Sequence, residues 1–194
     1  LNETSARHVN DVFSELAAKA AADVDGIANA VAKVGSLAYT SGIDLQTTSA
    51  MLTEMIESTQ EAPETIGTSM RTILGRLTQI KTGVSDLSEE ELQDLDFNRV
   101  DTALKSVGVS LKDTNGQIRD ADDVLFDVAK KWENLDSNTQ HYLATQMAGT
   151  QQQSRFIALM NGYNRTVELQ SIAYNSAGKA SENFSKVQDT LSYS

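Results

Sequence analysis

The sequence contains no cysteine. Disulfides, thiol catalysis and cysteine-ligated zinc are therefore excluded. It has one proline, Pro63, which argues against a loop-rich or linker-rich protein. Aromatic residues make up only 6%, so Ala, Leu, Ile, Val and Met must fill most of the interior, as in closely packed helices. The two histidines, His8 and His141, lie far apart and neither has the spacing of a two-histidine metal site. His141 is expected half-exposed near a helix start. No apolar stretch approaches the roughly 20 residues of a membrane span, and no signal peptide is recognisable. The 16 basic residues are scattered, with no run beyond Lys130-Lys131, against a net charge of −11. Phosphate binding needs clustered Lys and Arg, so direct nucleic-acid recognition is not expected. The acidic balance reads first as a solubility device.

Hydrophobic residues amount to 40%, a globular value, and 194 residues suffice for one ordinary domain or two small ones. Helical spacing dominates the pattern. Ala6–Ala22 places Val9, Val12, Phe13 and Leu16 on one face, with Thr4 or Ser5 as its cap. A second helix runs to Thr40 with Ile27, Val31 and Val34 on one face, and Gly42 is placed as its left-handed C-terminal cap. Asp44 opens a third helix, with Leu45, Leu52, Met55 and Ile56 apolar and Thr48 and Ala50 as small spacers. Glu61-Ala62-Pro63-Glu64 suits the first turn of a fourth, whose stripe is Ile66, Met70, Ile73/Leu74, Leu77 and Ile80. Ser88-Glu89-Glu90-Glu91 resembles a capping box for a short helix. A fifth helix covers Asn98–Val107.

Residues 109–119 alternate around Asp113-Thr114-Asn115-Gly116, a strong turn, and predict a short β-hairpin packed on helices. Asp120 or Asp122 starts a sixth helix with Val124/Leu125, Val128/Ala129, Trp132 and Leu135 inward. Ser137 caps a seventh, with Tyr142/Leu143 and Gln146/Met147, ending at Gly149. Thr150 or Gln151 starts an eighth through Phe156, Leu159 and Met160. Gly162 interrupts it, and a ninth continues through Val167 and Ile172. The fold class is thus all-α, bundle-like, with one small hairpin. The helical region is expected over 1–180, with sub-regions 1–83 and 84–180. Residues 181–194 read as the start of a further helix leading into a longer protein, an expectation that the initial Leu1 supports.

No constellation of residues calls for chemistry. A calcium loop around Asp113–Gly116 would put Leu111 in the first ligand place and Asp122 in the final one, so a plain turn is the better reading. Glu89–Glu91 and Asp120/Asp122/Asp123 cluster carboxylates, but both runs sit at expected helix starts, where acids are favoured electrostatically. Gln151–Gln153 with Ser154-Arg155 form a polar patch that can bind a ligand, or cap helix ends and pair across a turn, the favoured reading. No phosphate loop or nucleophile elbow occurs. No catalytic residue, metal or cofactor is expected.

One stretch goes further. Ala148-Gly149-Thr150-Gln151-Gln152-Gln153-Ser154-Arg155-Phe156-Ile157-Ala158-Leu159-Met160 resembles a run of phage tail tape measure proteins, with Gln151 where that family commonly has arginine. Three further stretches are similar in order and spacing: Gly42–Ala50 followed by Glu61–Gly67, Leu104–Asp113 with Asn115-Gly116, and Asp122–Trp132. The resemblance covers about residues 1 to 180. It makes Gly149, Gln152, Gln153, Ser154, Arg155 and Phe156 a structural family motif.

The resemblance implies a non-enzymatic virion tail protein that acts in tail assembly, length determination and DNA ejection. It implies self-association, as a trimer or alternatively a hexamer, and contacts with tail tube, tail tip or baseplate hub proteins and with tail assembly chaperones in the host cytoplasm. Two other readings stand beside it: a helical adaptor or scaffold unrelated to tails, and a cell-wall-degrading domain. The former leaves the Ala148–Met160 run unexplained. The latter lacks a recognisable catalytic constellation.

Overall fold

A computed structural model describes residues 3–82 and 97–179, and side chains within them except at 79–82 and 97. The expected Ser88–Glu91 helix and the tail from Ser181 lie outside these residues. The described chain forms α1 (Glu3–Lys19), α2 (Val24–Thr40), α3 (Leu45–Thr59), α4 (Pro63–Thr82), α5 (Phe97–Ser106), α6 (Ala121–Lys131), α7 (Ser137–Ala148), α8 (Gln153–Asn161) and α9 (Tyr163–Tyr174). One 3-10 turn, Trp132–Asn134, follows α6.

Local chemistry sets most boundaries. Asp23 caps α2 by accepting the Gly26 amide at 2.7 Å, and Asp44 caps α3 by accepting the Thr47 amide at 2.8 Å. Thr4 and Ser5, expected as caps, lie inside α1. At the end of α2 the Ile43 amide bonds the Ala38 carbonyl and the Gly42 amide bonds the Tyr39 carbonyl, with Gly42 at φ +84°. This Schellman closure turns Ile43 into the core. Pro63 is the first residue of α4. Helix α7 is capped one residue earlier than expected: Asp136, not Ser137, accepts the Thr139 amide at 2.8 Å.

The predicted hairpin over residues 109–119 does not form. Among the described residues there is no strand, only an isolated antiparallel bridge between Lys112 and Ile118. The turn itself is real, because the Asp113 carboxylate accepts the amides of Asn115 and Gln117, each at 2.9 Å. Its arms are too short for a ladder. Val109 and Leu111 instead bury in the helical core, and Arg119 turns out to Asp127 at 2.6 Å.

Two apolar clusters hold the helices. The larger runs through α2 to α8 and includes Val34, Met55, Ile73, Leu104, Leu125 and Trp132. The smaller joins α1 and α9 to α2 and α3 through Val12, Leu16, Ile27, Ala50, Leu169 and Ala173. Helix α3 lies between them, and every residue from Thr47 to Ile56 is buried. Tyr142, expected inward on α7, is exposed, while its neighbour Leu143 is fully buried.

Candidate functional site: the turn and helix at Gly149–Phe156

The motif begins where α7 stops. Gly149 takes φ +78° and ψ 165° and donates its amide to the Thr145 carbonyl at 2.8 Å. That backbone region is essentially restricted to glycine. The Arg76 guanidinium of α4 lies against it: a Cβ at position 149 would stand 2.8 Å from Nη2. Arg76 is buried and donates from Nη1 to the Gln146 carbonyl at 3.3 Å. A cation thus meets the negative end of the α7 dipole.

Residues 150–152 turn the chain into α8. Gln152 caps nothing with its side chain. Its Oε1 accepts the buried Ser69 hydroxyl of α4 at 2.5 Å and Arg155 Nη1 at 2.9 Å. Arg155 also makes a two-pronged pair with Glu61, from Nε to Oε2 at 2.6 Å and from Nη2 to Oε1 at 3.2 Å. A further bond runs from Nη1 to the Gln151 carbonyl at 3.2 Å. The planar guanidinium suits such multiple anchoring. Gln153 Oε1 accepts the Thr145 hydroxyl at 3.4 Å, and Ser154 is exposed.

Phe156 points the other way and is fully buried. Its ring meets Trp132 edge-on, with centroids 5.8 Å apart at 72°, a favourable aromatic geometry. Trp132 donates its indole N–H to Asn161 at 2.9 Å, while its carbonyl accepts Gln140 Nε2 at 2.8 Å. The motif is therefore a clamp. Arg155 and Gln152 tie α8 to the α3–α4 junction and α4, Gly149 admits Arg76, and Phe156 plugs the core. The sequence reading anticipated pairing across the turn but missed Ser69, Arg76 and Glu61, which no local spacing marks.

The other sequence candidates are placed apart from the clamp. His8 lies on α1 with Nε2 at 2.9 Å from Gln46 Nε2, and His141 is exposed on α7. Asp120, Asp122 and Asp123 can bring carboxylate oxygens within 4.8 Å of one another at the start of α6. Burial, then the neighbouring Asp123, push Asp122 up to about 6. Asp120 and Asp123 are exposed, which fits acids favoured at a helix start. Glu89–Glu91 lie outside the described residues.

A polar group that sequence reasoning overlooked is Glu54 of α3, which is buried against α9. Burial pushes its carboxyl up to about 7. One turn on, Glu57 is held below the usual carboxylate range by its bonds from Arg165, at 2.8 and 3.1 Å.

No solved structure matches the chain. The family described as phage-related minor tail protein matches residues 1–149, from α1 to the glycine that closes α7. The chain belongs to the phage-related minor tail protein family.

Proposed function

We propose that this chain is a segment of a tail tape measure protein, acting structurally in tail assembly, length determination and DNA ejection. The observation that carries the reading is the Ala148–Met160 run, which resembles that family and here folds as a clamp across α3, α4 and α8. Membership in a minor tail protein family supports a structural role in the virion tail over an adaptor unrelated to tails.

The described helices pack side by side through shared apolar clusters. A ruler needs the opposite: as one continuous helix, 194 residues would reach about 290 Å at 1.5 Å per residue. This segment is therefore a docking or self-assembly module, and the extended ruler lies elsewhere in the parent chain. Its partners are copies of itself, as a trimer or hexamer, with tail tube, tail tip or hub proteins and tail assembly chaperones. It needs no cofactor and performs no catalysis.

Light scattering over a concentration series tests self-association: a stable trimer or hexamer supports it, and a monomer moves it to other parts of the parent chain. Tail length tests the ruler. In-frame deletions in a long helical stretch of the parent should shorten tails by about 1.5 Å per residue. Unchanged tails would overturn the tape measure reading and leave the tail family standing. Peptidoglycan release by the chain would overturn the non-enzymatic one.

A further inference from the structure

Helices α1 and α9 are attached differently from the other described helices. Their fully buried apolar side chains belong only to the smaller cluster. The larger cluster draws its buried residues from between Ala30 and Met160. Only Tyr163, at the start of α9, packs partly against it, with its ring 5.5 Å from Phe126 of α6.

The seam between α3 and α9 is polar. At one end Gln170 Nε2 donates to Thr47 at 2.8 Å, and Tyr174 bonds Asp44 and Thr47. At the other, Arg165 holds Glu57 and donates to the Lys19 carbonyl at the end of α1, at 2.8 Å. One arginine thus closes α9 over both α3 and α1. Between these ends the seam is poorly satisfied. Glu54 Oε2 on α3 and the Thr166 hydroxyl on α9 are buried without a hydrogen-bond partner. The Glu54 carboxyl fills the space a side chain would take at Gly162: a Cβ there would stand 1.9 Å from Oε1. Buried polar groups without partners weaken the interface that contains them.

We infer that α1 and α9 form a layer that opens from α2 and α3 as one unit, pivoting at Gly162–Tyr163, while the larger cluster stays folded. Glu54 is the weak point of the closed seam and makes opening proton-linked. The charges acting on it are Glu57 of its own helix and Arg165 of α9. From α8, Arg155 is committed to Glu61; from α1 come His8, beside Gln46, and Lys19, through its carbonyl. A neutral Glu54 fits the seam and a carboxylate does not. Opening releases the carboxylate to water and is favoured as pH rises. This inference does not depend on the tape measure reading.

Amide hydrogen exchange on the 194-residue chain, corrected for intrinsic rates, tests it. Amides of α1 and α9 should share one level of protection, below that of α4 and α6. Their opening constant should rise roughly 30-fold from about pH 5.5 to about pH 8, given a carboxyl that moves from about 7 when closed to 4.5 when open. Glu54→Gln should remove most of that rise, separating Glu54 from His8. Arg165→Met should lower protection in both helices and leave α4 and α6 unchanged. Equal protection across α1, α4, α6 and α9 in the unmodified protein would overturn the separate layer. A pH dependence that survives Glu54→Gln would overturn the assignment to Glu54.

Discussion

Gly149→Ala isolates what the clamp demands of its first residue. Two costs follow from the geometry. Alanine at φ +78°, ψ 165° occupies a region held essentially by glycine, at about 1–3 kcal/mol. Its Cβ would also stand 2.8 Å from Arg76 Nη2, so the guanidinium must shift away from the Gln146 carbonyl. Weakening a buried, charge-assisted bond costs about 1.5–3 kcal/mol. The two together give an expected loss of about 2.5–6 kcal/mol, a large share of a small domain's stability. Urea denaturation followed by fluorescence reports it directly, because the only tryptophan, Trp132, is buried in the same core. Repeating the change in an Arg76→Met background separates the terms: the backbone cost of about 1–3 kcal/mol persists and the collision disappears. A loss below about 1 kcal/mol in the natural background would refute the reasoning, since it falls short of the backbone cost alone. Equal losses in the two backgrounds would remove Arg76 from the account.

Phe156→Ala leaves a cavity beside Trp132 and should cost about 3–5 kcal/mol by the same denaturation measurement. For Arg155 and Glu61, a double-mutant cycle should give a coupling of about 1 kcal/mol that falls with added salt; the Glu61 side chain is 37% exposed, so solvent screens the pair. Glu54→Gln should stabilise the fold in a pH-dependent way. The carboxyl rises from 4.5 to about 7 on folding, so the folded state favours its proton. The cost of Glu54 is absent below 4.5, grows through that window and is constant above it. At 1.36 kcal/mol per pH unit, the variant gains up to about 3 kcal/mol at about pH 8 and little at about pH 4. Denaturant midpoints across pH check this, and a pH-independent difference would contradict it.

What could be read from the sequence was local. Asp44, Gly42 and Pro63 act on backbone groups within a turn of themselves, so their roles follow from residue type and position. The stripe Ile66, Met70, Ile73 and Leu77 is buried as its spacing demands. Helix α3 shows where periodicity stops. A helix buried on every side loses the amphipathic contrast that periodicity detects, so spacing carries no signal that Thr53 and Glu54 are buried. Gln60 closes α3 at φ +54°, in the left-handed region where a glycine signal would have marked the end.

The amino-acid sequence by itself determined the helical class, the helix boundaries to within a few residues, the absence of thiol chemistry and the run that resembles a tail protein. Those rest on interactions that span a turn or less. Only the tertiary structure decided that residues 109–119 bury as a turn instead of pairing as strands, and that Arg155 finds Glu61 across 94 positions of chain. It alone put Arg76 against Gly149 and Glu54 beneath Gly162. Such contacts depend on which helix faces meet, and that is settled by the packing of whole surfaces, which no short window of sequence contains.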